Sequence, residues 1–139
     1  MERIVAVVTC DIVRSQRYST DQRRKIDTIL KKEFTTVTKT YKNAVHTPTS
    51  YNVTVGDEFQ FVISKVEKVY GLTIFYRALV ALADVTPMLS FRSSIGIGEI
   101  AVENRKDSYS QDGKAFHRSR DGINVFRDKK LKGRGVLKL

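Results

Sequence analysis

The sequence contains little of what would mark a secreted, membrane-spanning or zinc-binding protein. Cysteine occurs once, at Cys10, so no internal disulfide can form, and this is typical of a cytoplasmic protein. No apolar run approaches the roughly 20 residues that a membrane span needs. The opening apolar segment is too short, and too soon interrupted by Asp11, to be a signal peptide. The two histidines, His46 and His117, lack the spacing of metal ligands. We therefore expect a cytoplasmic protein with no membrane association.

The remaining composition is that of one small globular domain with a strong basic excess. A chain of 139 residues with 41% hydrophobic content has room for a single core, so we expect one domain over residues 1–139. The net charge of +10 attracts anions such as nucleotides, nucleic acid or acidic lipid. The segment 126–139 holds six basic residues and one acid, which is either a solvated end or a contact surface for nucleic acid.

Hydrophobic periodicity predicts an α+β fold with the order β-α-β-β-α-β, followed by a further helix and a short edge strand. This is the ferredoxin-like split βαβ arrangement, an antiparallel sheet with helices packed on one face. The predicted elements are a strand over Ile4–Cys10, a helix opened by a capping box at Ser19, a hairpin around residues 51–63, a helix opened by a second capping box at Ser64 and running to about Ala83, a strand over Leu89–Ile100, a helix from Asp112 or Gly113, and an edge strand at Val136-Leu137.

The predicted strand over Leu89–Ile100 carries two glycines on one face. Alternation places Phe91 and Ile95 on one side of the strand, and Gly96 and Gly98 on the other with Arg92 and Ser94. The glycines would let either a nucleobase or a helix approach the sheet, and the sequence does not choose between them.

Two aspartates stand where this topology would bring them together. Asp11 ends the first strand, and Asp57 lies in the turn of the hairpin, whose second strand neighbours the first in a split βαβ sheet. Taken alone, Asp11 is more simply explained as the end of a strand and Asp57 as a turn former than as metal ligands. Together they form a pair of oxygen ligands of the kind that Mg²⁺ prefers. Glu58, next along the second hairpin strand, is expected to point away from Asp57.

Four motifs resemble the SatD family of bacterial proteins and, more distantly, class III nucleotide cyclases of the polymerase palm superfamily. They occur in the family's order and span nearly the whole chain. The motifs are Cys10-Asp11-Ile12-Val13-Arg14-Ser15, Gly56-Asp57-Glu58-Phe59-Gln60, Ile95-Gly96-Ile97-Gly98-Glu99-Ile100 and the run from Asp112 to Arg120. SatD-like proteins often carry extra C-terminal helices that this chain lacks, so it is expected to be a minimal member or an excised domain.

The cyclase resemblance implies a site for a nucleoside triphosphate with Mg²⁺ or Mn²⁺, completed across a homodimer. Asp11 and Asp57 would be catalytic metal ligands, with the Ile12 carbonyl as a further ligand. Four residues of the third helix would meet the nucleotide or stabilise developing charge. The implied nucleotide-binding residues are Ile12, Val13, Arg14, Ser15, Gly56, Lys114 and His117, and the implied charge-stabilising residues are Arg118 and Arg120.

The departures from the cyclase pattern lie in this third helix and in the hairpin. His117 stands where cyclases have an asparagine, and Arg120 is one position early for their arginine. Val53 stands where adenine-selecting cyclases carry a lysine. The base, the product and retention of turnover therefore stay open.

Three functions follow from these observations. The first is a metal-dependent nucleotidyl cyclase or nucleotidyltransferase that makes a cyclic nucleotide signal. The second is an inactive regulatory module that binds a nucleotide. The third is a nucleic-acid-binding protein that uses the basic segment 126–139, for which the predicted sheet lacks the aromatic pattern of RNA-recognition domains.

Overall fold

The computed structural model describes residues 2–45, 51–55, 57–101 and 113–127. Within these ranges the chain forms a four-stranded antiparallel sheet in the order β2-β3-β1-β4 and three α-helices. The elements are β1 (Glu2–Ile12), α1 (Thr20–Thr40), β2 (Tyr51–Val55), β3 (Glu58–Ile63), α2 (Val69–Ala81), β4 (Phe91–Ala101) and α3 (Lys114–Arg127). This order and pairing confirm the ferredoxin-like α+β fold.

The central strand β1 divides the molecule because its side chains alternate between two buried faces. Ala6, Val8 and Cys10 face a core made with α1 and α2. Val5 and Val7 face a second, smaller core made with α3. Both faces of β1 are therefore covered.

The larger core is an aromatic cluster between the sheet and the first two helices. The Tyr76 ring packs edge-on against Phe34, Phe59 and Phe61, with centroids 5.7–6.2 Å apart. The Tyr76 hydroxyl donates to the Leu30 carbonyl of α1 at 2.9 Å, so the buried polar atom is satisfied. This cluster fixes α1 and α2 against one another and against β3.

Helix α3 lies on the opposite face of the sheet, and here the sequence prediction was wrong. Helices were expected on one face only, whereas Ala115 and Phe116 of α3 pack on Val5, Val7 and Val62. The glycines of β4 make this possible. A Cβ added at Gly96 would lie 2.2 Å from the Ala115 carbonyl oxygen, so the helix backbone rests directly on the strand. Of the two interpretations of these glycines, helix packing is the one that the structure supports.

The predicted capping boxes differ in outcome. At Ser19 the box is present: its side chain accepts from the Gln22 amide, and the Gln22 side chain accepts from the Ser19 amide. At Ser64 the prediction was wrong, because the Ser64 hydroxyl donates to the Ala44 carbonyl at 3.0 Å. The chain instead passes through a short 3₁₀ turn, Val66–Lys68, before α2 begins, and α2 ends at Ala81.

Candidate functional site

The predicted aspartates meet at the carboxyl end of β1. Asp11 is the penultimate residue of the strand and is almost completely buried. Asp57 lies in the turn before β3, half-buried. The Ile12 amide donates to the Asp57 carbonyl at 3.0 Å, which fastens the hairpin turn to the end of β1. The hairpin therefore carries the second aspartate to the first.

A guanidinium from β4 lies on the Asp11 carboxylate. Arg92 donates from Nε to Oδ1 at 2.9 Å and from Nη2 to Oδ2 at 2.7 Å, a bidentate pair. Its pKa is raised chiefly by the hydrogen bonds to Asp11, with further attraction from the charges of Asp11 and Asp57. The site is thus an anionic centre that already attracts one cation. Arg92 was missed by the sequence analysis, although its place on the buried face of β4 was the available signal.

Glu58 lies directly opposite Asp11 in the β1–β3 ladder, on the same face of the sheet. The strand alternation predicts that Glu58 points away from Asp57. Its carboxylate is buried and accepts from Arg120 Nη1 of α3 at 2.5 Å. Like charges directly opposite destabilise a sheet. The structure offsets this by giving each carboxylate its own arginine, Arg92 for Asp11 and Arg120 for Glu58.

Behind these pairs a buried polar cluster joins the sheet to α3. The hydroxyls of Thr9 and Ser119 are hydrogen-bonded to each other, and Gln60 Nε2 donates to Thr9 Oγ1 at 3.0 Å. All three side chains are buried, so the cluster fixes the position of α3 along β1. Because Arg120 follows Ser119 in α3, the same contacts fix where its guanidinium reaches Glu58.

The loop after β1 borders the site. The Ser15 hydroxyl donates to Asp57 Oδ2 at 3.2 Å, and the Ser15 carbonyl accepts from Arg23 Nη2 of α1 at 3.0 Å. Arg14 is exposed and has left-handed backbone angles (φ 51°, ψ 49°), which turn the chain sharply away from β1. The Val13 amide donates to the Ser90 carbonyl, so this loop is held from both sides.

The predicted α3 residues do not all converge on the aspartates. Arg120 approaches them through Glu58, whereas Arg118 Nη1 donates to the Ile97 carbonyl of β4 at 2.5 Å. Lys114 lies 3.8 Å from Glu99, beside the part of β4 that pairs with Val5, about 20 Å along β1 from Asp11.

Of the remaining predicted positions, one is exposed on α3 and the others lie outside the residues that the structure describes. His117 is exposed one turn into α3. Gly56, Asp112, the edge strand at Val136-Leu137 and segment 128–139 lie outside the described residues.

The donor set at the end of β1 fits a hard divalent cation. It offers carboxylate oxygens from two residues, and Asp11 already holds a cationic group at hydrogen-bonding distance. In the described part of the chain no three His, Cys, Asp or Glu side chains gather into a metal cluster. A cation here would complete its shell with a backbone carbonyl, water and phosphate, which is how Mg²⁺ is usually bound. Mn²⁺ accepts the same ligands.

A cavity of about 50 Å³ adjoins the site between α1 and the hairpin, with Ser15, Asp57 and Phe59 among its lining residues. It has room for a few water molecules.

Cys10 lies next to Asp11 but takes no part in this chemistry. Its side chain is buried on the opposite face, and burial raises the pKa of the thiol to about 12. A protonated, inaccessible thiol is not a nucleophile.

Comparison with known proteins identifies the family of this chain. The sequence pattern of the SatD family matches residues 4–138, almost the whole chain. The chain belongs to the SatD family. No protein of curated function matches it in sequence.

Among solved structures, this SatD protein is similar to the dimeric guanylyl cyclase domain of the RhoGC fusion protein from the aquatic fungus Blastocladiella emersonii. The TM-score is 0.65 at 16% identity, over 88% of this chain and 75% of the other. At that identity the likeness shows a shared cyclase-like fold. Among the helices described here, none is long and apolar enough to cross a membrane.

Proposed function

We propose that this SatD protein binds a nucleoside triphosphate with Mg²⁺ or Mn²⁺ and acts as a nucleotidyl cyclase or nucleotidyltransferase that makes a cyclic nucleotide signal. The observation that carries the proposal is the meeting of Asp11, Asp57 and the Arg92 guanidinium at one end of β1. The cyclase-like fold supports the proposal, since the structural neighbour is a guanylyl cyclase domain.

Asp11, Asp57 and the Ile12 carbonyl would hold the cation, which in such a site activates a hydroxyl and neutralises charge on the phosphates. The chain's own contribution is positional. The Ile12–Asp57 hydrogen bond keeps the carboxylates together, and the Ser15 hydroxyl orients Asp57. Arg92 supplies positive charge beside Asp11, and the exposed Arg14 of the following loop would add a second cation for the phosphates of the nucleotide.

A homodimer is part of the proposal because one chain does not gather all the implied groups. Lys114 lies far along β1 from the aspartates, and His117 is exposed on α3. In a homodimer, both residues would contact a nucleotide bound at the aspartates of the second copy. The structural neighbour is itself described as a dimeric domain, which is compatible with this arrangement.

The test is incubation with all four nucleoside triphosphates and Mn²⁺, with products identified by mass spectrometry. Wild-type protein should release pyrophosphate and a cyclic product, whereas Asp11→Asn and Asp57→Asn should each lower the rate by at least about 100-fold, because removing one group that stabilises developing charge typically costs that much. Asp21→Asn, an exposed aspartate on α1, is the matched control and should retain the wild-type rate. Product formation that survived both site substitutions would exclude the mechanism.

A second candidate is a regulatory module that binds a nucleotide without converting it. The contacts of α3 favour it, because Arg118 donates to a β4 carbonyl and Arg120 to Glu58, so both arginines already have partners in the chain. Calorimetric titration with each nucleotide, followed by chromatography of the mixture, separates the two. Binding with all nucleotide recovered unchanged supports the regulatory module.

A further inference from the structure

The cation position beside Asp11 is already taken by a side chain of the protein. Both oxygens of the Asp11 carboxylate accept from Arg92, at 2.9 and 2.7 Å. Asp11 itself is 2% exposed, so a divalent cation has little room to approach while the guanidinium stays. A cation that binds Asp11 must therefore displace Arg92 or bind against its charge.

The Arg92 side chain is placed so that it can move away from Asp11. Its side chain is 37% exposed, whereas that of its partner Asp11 is only 3% exposed, so the carboxylate is fixed and the guanidinium borders solvent. The forked donors that now hold a carboxylate fit a phosphate equally well. The neighbouring pair of Arg120 and Glu58 has almost the same exposures, 36% and 2%, but Glu58 is not one of the proposed metal ligands.

We propose that Arg92 exchanges partners: it holds Asp11 in the free protein and moves to the phosphates when a nucleotide binds, so that metal and nucleotide bind cooperatively. This rests on the proposed metal and nucleotide site. In the free protein Arg92 competes with the metal for Asp11. When phosphate draws Arg92 away, Asp11 becomes available, and each ligand raises the affinity for the other.

The exchange predicts opposite effects of one substitution on two ligands. Arg92→Gln should bind Mn²⁺ alone on the order of tenfold more tightly than wild type, because the competing cation is gone. In EDTA the same variant should bind inorganic tripolyphosphate on the order of tenfold more weakly, because a charged donor is lost. For both ligands, the affinity of Arg92→Lys should lie between those of wild type and Arg92→Gln, since lysine keeps the charge but lacks the paired donors of the guanidinium.

The measurements are Mn²⁺ titration followed by electron paramagnetic resonance of the free ion, and calorimetry for tripolyphosphate. Arg24→Gln is the matched control, because it removes an arginine from an exposed ion pair with Asp21 and leaves the site intact. It should show neither change. Thermal unfolding of every variant checks that the fold is retained, and Arg92→Lys carries the test if Arg92→Gln does not fold.

Equal or weaker Mn²⁺ binding by both folded Arg92 variants would overturn the exchange. Adding Asp57→Asn to Arg92→Gln separates this failure from failure of the site itself. If the gained Mn²⁺ affinity persists in the double variant, the metal is bound elsewhere and the proposed function fails. If Arg92→Gln gains nothing but Asp57→Asn still abolishes Mn²⁺-dependent nucleotide binding, the site stands and only the exchange is wrong.

Discussion

Replacement of Gly96 by alanine should displace α3 from the sheet. The added Cβ would lie 2.2 Å from the Ala115 carbonyl oxygen and 2.4 Å from the Ser119 amide nitrogen. Ordinary van der Waals contact begins near 3.4 Å, so the two backbones must separate by about 1 Å. Both obstructing atoms belong to the helix backbone, and no side chain can rotate out of the way.

The cost has two parts. Overpacking of this kind costs about 1–3 kcal/mol. A shift of about 1 Å would also stretch the Thr9–Ser119 hydrogen bond, and a buried bond of this sort contributes about 1 kcal/mol. We therefore expect Gly96→Ala to lower the free energy of unfolding by about 2–4 kcal/mol, a large share of the 5–15 kcal/mol that small domains have.

Urea unfolding followed by circular dichroism measures the effect, and Gly71→Ala is the matched control. At Gly71 in α2 the added methyl would meet only the tip of the Tyr41 side chain, at 3.1 Å. Because alanine is the better helix former, this variant should be neutral or up to about 1 kcal/mol more stable. Equal stability of Gly96→Ala and wild type would refute the close packing of α3 on β4.

Two further predictions concern buried groups. Arg120→Gln should destabilise the protein by about 2 kcal/mol, because it leaves the buried Glu58 carboxylate without its arginine. Glu58→Gln should destabilise it less, because the Arg120 left without a partner can turn towards solvent. Urea titration of both variants measures the two losses, and a larger loss for Glu58→Gln would contradict the prediction. The pKa of Cys10 is raised from 9.0 to about 12, so above pH 9 the unfolded chain releases a proton that the folded chain keeps. The stability that this thiol contributes is complete below pH 9 and falls as the pH rises towards 12, and Cys10→Ala should flatten that part of the pH profile of unfolding.

The topology and the meeting of Asp11 with Asp57 could be predicted because their signals are local. Alternation identifies the strands, the Ser19 capping box opens α1, and the βαββ order places β1 beside β3. The place of Arg92 on β4 was visible in the sequence, but its pairing with Asp11 was not, since that pairing depends on the register of β1 and β4.

The position of α3 was missed for a different reason. The periodicity of a helix shows which of its faces is buried, but not which face of a sheet it covers. Glycines at Gly96 and Gly98 allow a ligand or a backbone to approach, and only the three-dimensional contacts with Ala115 and Ser119 distinguish the two. The contact of Glu58 with Arg120 could not be predicted, because it depends on the position of α3 and on the ladder register that sets Glu58 opposite Asp11.

The face of β1 that meets α3 changes character along its length. It is apolar at Val5 and Val7, becomes polar at Thr9 and ends in the carboxylate of Asp11. Helix α3 contacts this face at Val5, Val7 and Thr9, so the apolar contacts that hold α3 also set the position of Arg120 near the carboxylate end. A displacement of α3 must therefore disturb the Glu58 pair next to Asp57 even when no site residue is changed. Both candidate functions need this coupling, because a nucleotide site that only binds requires the same fixed carboxylates as one that turns over.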